Sequence, residues 1–321
     1  MSTNAYSVYE LNSLKGRDLL SLYDLSRQDI DMIFKTAETL KTMQKMGAEY
    51  KPLKGKTLGL VFEKSSTRTR VSFEVGIWQL GGYGLFLSKN DLQLGRGEPI
   101  KDTARVLSRY LDGIMIRTYR HSEVEELAQY ADIPIINGLT DLYHPCQVLA
   151  DLFTIYEKKK KFSGLKLAFV GDGDNNMSNS LLLGCSKVGM DISVASPIGY
   201  QPTDMILKKA QEGGKLSGSK ITITDDVYEA CKGADVLYTD VWTSMGQEEE
   251  QEQRKQIFSG YQINSEILKI ADEDALVMHC LPAHRGEEIT DEVMEGPNSV
   301  VFDEAENRLH VQKSIMSLLM G

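Results

Sequence analysis

Short apolar runs and amphipathic helical stretches take turns along this chain over 57–136 and, after one interruption, again from Leu165 onward. Such an exchange suits parallel strands, because parallel neighbours need a crossover long enough to hold a helix. The first series reads as strand 57–62, helix 67–80, strand 83–87, helix 100–110, strand 113–116, helix 123–131 and strand 133–136. A helix over 26–46 precedes it, with Ser26 and Asp29 at capping-box spacing and Ile30, Ile33, Phe34, Ala37 and Leu40 on one face. A helical connector, 145–158, leads into the lysine run 158–161 and the Ser163-Gly164 pair, where the pattern breaks. Strands are then expected at 165–170, 191–195, 221–224, 236–238, 276–278 and 300–302, with a closing helix over 304–320 and a Glu- and Gln-rich inserted loop over 243–256. The fold class expected is α/β, with two doubly wound, mostly parallel-sheet domains and the active site in the cleft between them. The first domain covers 1–150, joined by the closing helix 304–321 packing back on it, and the second covers 151–303.

Charge narrows the partners. Thirty-six Lys+Arg against 46 Asp+Glu give a formal −10, the wrong sign for a general binder of nucleic-acid backbones. Cys146, Cys185, Cys231 and Cys280 form no CxxC pair, so neither a disulfide framework nor a cysteine zinc cage is indicated. No basic leader precedes an apolar run, and no apolar stretch reaches the roughly 20 residues that cross a bilayer. A cytoplasmic protein that binds neither nucleic acid nor membrane is the expectation.

Polar residues collect where strands end. The strand 57–62 runs into Ser65-Ser66-Thr67-Arg68-Thr69-Arg70 and then a helix, and a helix start rich in hydroxyls, free amides and guanidinium groups binds anions. The run lacks the GxxxxGK[ST] spacing of a nucleotide P-loop. Arg117 follows the strand 113–116, and His144 with Gln147 follows 133–136, so these side chains gather at carboxyl strand ends with Ser66–Thr69. In the second series, Gly171-Asp172-Gly173 begins like a dinucleotide loop, but Asn176 replaces the third glycine and the next strand ends in Ala195-Ser196 without a ribose acid. Asn176 offers a donor and an acceptor instead. Asp240 stands at a strand end before a loop holding Ser244-Met245-Gly246, and His279-Cys280-Leu281-Pro282 follows another strand. A zinc site from His279, Cys280 and His284 is chemically conceivable but sparse in ligands.

Ser66-Thr67-Arg68-Thr69-Arg70, His144-Pro145-Cys146-Gln147, Asp240 with Ser244-Met245-Gly246, and His279-Cys280-Leu281-Pro282, in this order, resemble the ornithine carbamoyltransferase family along nearly the whole chain. The resemblance implies a first domain that binds carbamoyl phosphate through Ser66, Thr67, Arg68, Thr69, Arg117, His144, Gln147 and Arg308, with Cys280 and Leu281. It implies a second domain that binds L-ornithine through Asn176, Asp240, Ser244 and Met245. It further implies a homotrimer or multiple of trimers, with Gln93 lent to a neighbouring subunit's site. The catalytic set expected is Arg68, Arg117, His144, Asp240 and Cys280, with no metal or other cofactor. Putrescine carbamoyltransferase is the nearest alternative, set apart by Ser244-Met245-Gly246. A nicotinamide oxidoreductase and a non-catalytic relative fit the residues less well.

Overall fold

In the computed structural model, residues 14–89, 92, 97–244, 246 and 248–321 are described. The chain divides into two compact units, one of residues 1–146 with 308–321 and one of residues 147–307.

The first unit opens on helix α1 (Arg27–Lys45), whose capping box is complete: Ser26 Oγ accepts from Asp29 N and the Asp29 carboxylate accepts from Ser26 N. Its apolar face, Ile30, Ile33, Phe34, Ala37 and Leu40, is buried, each large side chain stabilising by about 1.5–3 kcal/mol. The sheet that follows holds β1 (Thr57–Phe62), β2 (Tyr83–Ser88), β3 (Gly113–Arg117) and β4 (Ile135–Leu139), joined through α2 (Thr67–Gln79), α3 (Ile100–Leu107) and α4 (His121–Tyr130). All pairs are parallel, in the order β2-β1-β3-β4. Strand β4 begins later than the apolar run suggests because Pro134 has no N–H for the ladder, although its carbonyl still accepts from Ile114 N at 2.9 Å.

Helix α5 (Pro145–Lys159) carries the chain into the second unit. There β5 (Lys166–Val170), α6 (Asn176–Val188), β6 (Asp191–Ala195), α7 (Asp204–Ser217), β7 (Ile221–Thr224), α8 (Val227–Cys231) and β8 (Val236–Thr239) follow in turn. After β8 come α9 (Gln251–Phe258), α10 (Ser265–Ile270), β9 (Leu276–His279), α11 (Asp291–Met294) and α12 (Val301–Met320). This sheet is also parallel, ordered β7-β6-β5-β8-β9. Ala168, Val170, Leu237, Val277, Ile267 and Val301 are among the residues of its core.

Two expectations are corrected. Residues 300–302 form no strand: a single bridge pairs Ser299 with Val277, after which α12 begins at Val301, with Phe302 64% exposed. Three apolar residues are too few for periodicity to separate strand from helix. Nor is 243–256 simply a loop, since α9 starts at Gln251 and buries Arg254. From Arg308 onward α12 packs within the first unit, where Ser314 Oγ donates to Ile33 O at 2.7 Å and Lys313 Nζ to Gln44 and Gln79 Oε1, each at 2.8 Å.

Candidate active site

In each unit the sheet order reverses at one place, and the polar residues singled out above lie there. In the first unit the crossover from β1 goes to β2 on one side while β3 lies on the other, with Phe62 beside Arg117 in register. A crevice opens at the carboxyl ends of strands at such a switch point. Ser66 caps α2, its hydroxyl accepting from Thr69 N at 3.2 Å, and Thr67 and Arg68 form the first turn, whose amides and dipole favour an anion. Thr69 is buried, and its Oγ1 accepts from Arg308 Nη2 at 3.1 Å. Arg308, an ordinary surface cation on sequence alone, is only 2% exposed. With the Gln312 amide turned to suit its neighbours, its oxygen accepts from Arg308 Nε at 3.0 Å and Nη2 at 2.9 Å. Arg70 is differently engaged, paired with Glu74 at 2.9 Å and stacked over the Phe86 ring.

His144, just before α5, is buried, and so is Arg117 at the end of β3. Burial, then the charges of Arg308, Arg117 and Arg68, hold His144 well below the usual imidazole range. Its ring is therefore neutral at pH 7, and the three guanidinium groups that act on it supply positive charge for an anion.

The second unit reverses its order between β5 and β8. Asp240 directly follows β8 and Cys280 directly follows β9, brought level by the pairing of Thr239 with His279. Cys280 Sγ donates to Asp240 Oδ1 at 3.1 Å, and Val241 N donates to the same oxygen at 2.8 Å. Burial pushes the Asp240 carboxyl up, countered by His279, the Cys280 hydrogen bond and the Val241 N–H. Burial and the Asp240 carboxylate push the Cys280 thiol well above its ordinary value, so it is a neutral donor rather than a thiolate nucleophile. Leu281 lies at φ 58°, in the left-handed region that costs a residue bearing a Cβ roughly 1–2 kcal/mol. Its N–H donates to His279 Nδ1 at 2.9 Å, while His279 Nε2 meets Glu288 Oε1 at 2.9 Å.

The donor atoms of Asp240, His279 and Cys280 lie within 4.8 Å of one another, but both nitrogens of His279 are engaged, which leaves a poor metal ligand set. Nor is the loop after β5 shaped for a dinucleotide. A Cβ on Gly173 would lie 2.9 Å from Tyr200 O and 2.8 Å from Pro202 Cδ, so this glycine answers to the packing of its own chain. Asn175 caps α6, accepting from Ser178 N at 2.8 Å, and Asn176 opens the helix, half-buried; Ser244 is also half-buried, in the loop after β8. Gln147 lies on α5 within the second unit, donating to Asp151 and Glu304. Gln93 and Met245 lie outside the described residues. Sequence reasoning missed Asp151, Tyr238 and Glu304 around Gln147, Glu288 on His279, and Arg254 on Asp172. A charged residue at a core-facing helical position was the available signal for Asp151.

Two parallel α/β units, one with arginines around a buried neutral histidine and the other with a buried acid beside a thiol, carry these sites, and the family they match is one of transferases. The chain belongs to the aspartate/ornithine carbamoyltransferase family: the carbamoyl-P binding domain matches residues 17–157 and the Asp/Orn binding domain matches residues 163–319. It is 57% identical over 322 residues to the ornithine carbamoyltransferase of Oceanobacillus iheyensis, covering all of both chains. It is 58% identical over 309 residues to that of Carboxydothermus hydrogenoformans, covering 96% of this chain and 99% of the relative. The solved ornithine carbamoyltransferase of Pyrococcus furiosus superposes with a TM-score of 0.93 at 54% identity, covering 96% of this chain and 98% of that one. Among the described residues, no helix is long and apolar enough to cross a membrane.

Proposed function

We propose that this chain transfers the carbamoyl group of carbamoyl phosphate to the side-chain amine of L-ornithine, giving L-citrulline and phosphate. The observation that carries this reading is the helix start capped by Ser66, with the buried Arg308 guanidinium donating to Thr69 Oγ1 beside it. The helix start at Ser66, Thr67, Arg68 and Thr69 takes the phosphate, with Arg308 beside it. Arg117 and His144 donate to the carbonyl oxygen, where the loss of one such donor typically slows a reaction about 100-fold to 1,000-fold. Gln147, Cys280 and Leu281 hold the carbamoyl end. Asn176, Asp240, Ser244 and Met245 bind ornithine; Asp240 Oδ2, unused by Cys280 and Val241, meets an ammonium group. Joining the two sites in one reaction is part of this proposal.

The ornithine side-chain amine attacks in its neutral form, which desolvation in a closed site favours against the pull of the Asp240 carboxylate toward the ammonium. A carbon–nitrogen bond forms, the bond from carbon to the phosphate oxygen breaks, and the amine's proton leaves on the phosphate. Every step runs through side chains and the two substrates. A homotrimer or multiple of trimers, with Gln93 serving a neighbouring subunit, completes the reading. A cytoplasmic setting is in keeping with four free cysteines.

The test is product analysis with carbamoyl phosphate and ornithine, putrescine, acetylornithine, lysine or aspartate. Citrulline from ornithine, with little product from the others, is expected. Preference for putrescine overturns the acceptor, and no product from any amine overturns the reaction.

A further inference from the structure

A buried carboxyl pair stands behind Gln147. Asp151, on α5, is fully buried, and Glu304, on α12, is 1% exposed. Gln147 Nε2 donates to Asp151 Oδ1 at 2.8 Å and to Glu304 Oε1 at 3.0 Å, so both amide hydrogens are engaged. Tyr238 OH lies 3.1 Å from Asp151 Oδ2 and 3.2 Å from Glu304 Oε1, and His279 N donates to Glu304 Oε2 at 3.0 Å. Among the described residues Glu304 has no cationic partner: its neighbours are neutral donors and a second carboxyl.

Two carboxylates that share donors in a dry interior cannot both stay charged at tolerable cost. The geometry around Tyr238 says the same. A phenol has one hydrogen, which can serve one of its two carboxyl contacts, and the other contact is a hydrogen bond only if a carboxyl supplies the proton. We propose that Asp151 and Glu304 share a single proton and act as positioning residues, locking the Gln147 amide with its nitrogen toward the pair and its oxygen toward the donor substrate. That oxygen then accepts from the NH2 of the carbamoyl group, and an acyl phosphate lacking this NH2 forgoes that hydrogen bond. The assignment of Gln147 to carbamoyl phosphate is the reading above, on which this step rests. Burial and the neighbouring Asp151 hold the Glu304 proton well above the ordinary carboxyl range. The same Glu304 fixes the backbone of His279, immediately before Cys280. The other titratable groups around the pair are Tyr238, His279, Cys280, Asp240 and, beside Asp151, Cys185.

Glu304→Gln keeps a neutral group of the same shape, whereas Glu304→Ala frees Gln147 to turn. With the full-length enzyme, Glu304→Gln should keep the KM for carbamoyl phosphate within about threefold of wild type, and Glu304→Ala should raise it about tenfold. The ornithine KM should hold in both variants, and the preference for carbamoyl phosphate over acetyl phosphate as a competing ligand should narrow in Glu304→Ala alone. Equal losses in the two variants, or a loss shared by both substrates, overturn the positioning role. Should Glu304→Ala not fold, infrared difference spectra of wild type against Glu304→Gln at neutral pH decide the shared proton. A carboxylic-acid carbonyl band present in wild type and absent from the variant supports it, and no such band overturns it. That spectrum needs no turnover, so it separates failure of the pair from failure of the proposed reaction.

Discussion

Replacing Arg254 by methionine tests how the loop after β8 is held, and the expected effect depends on pH. Arg254 is 3% exposed; it ion-pairs with Asp172 and donates from Nε to Trp242 O at 2.7 Å. Burial pushes the Asp172 carboxyl from 3.8 up to about 6 even though Arg254 pulls it down. A rise of about two units means that holding this group ionised costs the fold roughly 3 kcal/mol at pH 8. The folded state binds the proton more tightly than the unfolded chain, so stability falls as pH rises from near 4 through about 6 and levels off above. Without Arg254 the folded value climbs further and the decline continues to higher pH. Arg254→Met should therefore lose about 3–5 kcal/mol at pH 8 but only about 1–2 kcal/mol at pH 5, where Asp172 is protonated in both proteins. For a unit of about 160 residues each kcal/mol moves the melting temperature by roughly 2–4 °C. Calorimetric melts from pH 5 to 8 should show the deficit growing by about 5–10 °C across the range, and Asp172→Asn added to Arg254→Met should flatten it. A deficit of one size at every pH refutes this account of the pair.

Arg68→Ala should lower kcat/KM by at least about 100-fold, since it removes a guanidinium from the donor site; steady-state rates near wild type would rule out its role. The same variant should melt within about 2 °C of wild type, because Arg68 is only half-buried. Asp240→Asn should raise the KM for ornithine about tenfold or more while that for carbamoyl phosphate moves little, and equal shifts in separate titrations would misplace the residue. Cys280 should be alkylated by iodoacetamide at pH 8 more slowly than a free cysteine, and faster in Asp240→Asn, where the carboxylate that raises its thiol is gone. Mass spectrometry over time reads both rates, and an unchanged rate in the variant contradicts the pairing.

Local rules are legible in single residues, and long-range partners are not. Ser26 with Asp29 announced the start of α1, and the strand 57–62 emerged with its bounds intact because an apolar run ends there against charged Glu63 and Lys64. The polar start of α2 was readable because hydroxyls and arginines fall in consecutive positions where a strand runs into a helix. Arg308 entered only through the family resemblance, because nothing local marks it: its side-chain partner Thr69 lies 239 residues away. Glu304 stands in an acidic run, Asp303-Glu304-Ala305-Glu306, that gives no sign of burial, yet its partners lie on α5, β8 and β9. Helix α9 was masked by glutamates and glutamines that give no apolar stripe; what anchors it is Arg254, a residue whose burial no composition rule foretells.

The two reversals of strand order also bear on how such a chain can change its trade. Each gathers its residues from a few neighbouring loop ends over a sheet that needs no alteration to receive new side chains. On the proposed reading, the loop after β8 can exchange one amine for another while the ends of β1 and β3 go on handling the same activated donor. Acceptor choice is thus a replaceable fitting and donor chemistry a fixed one, and a lineage built this way can diversify its products without learning again how to activate a carbonyl.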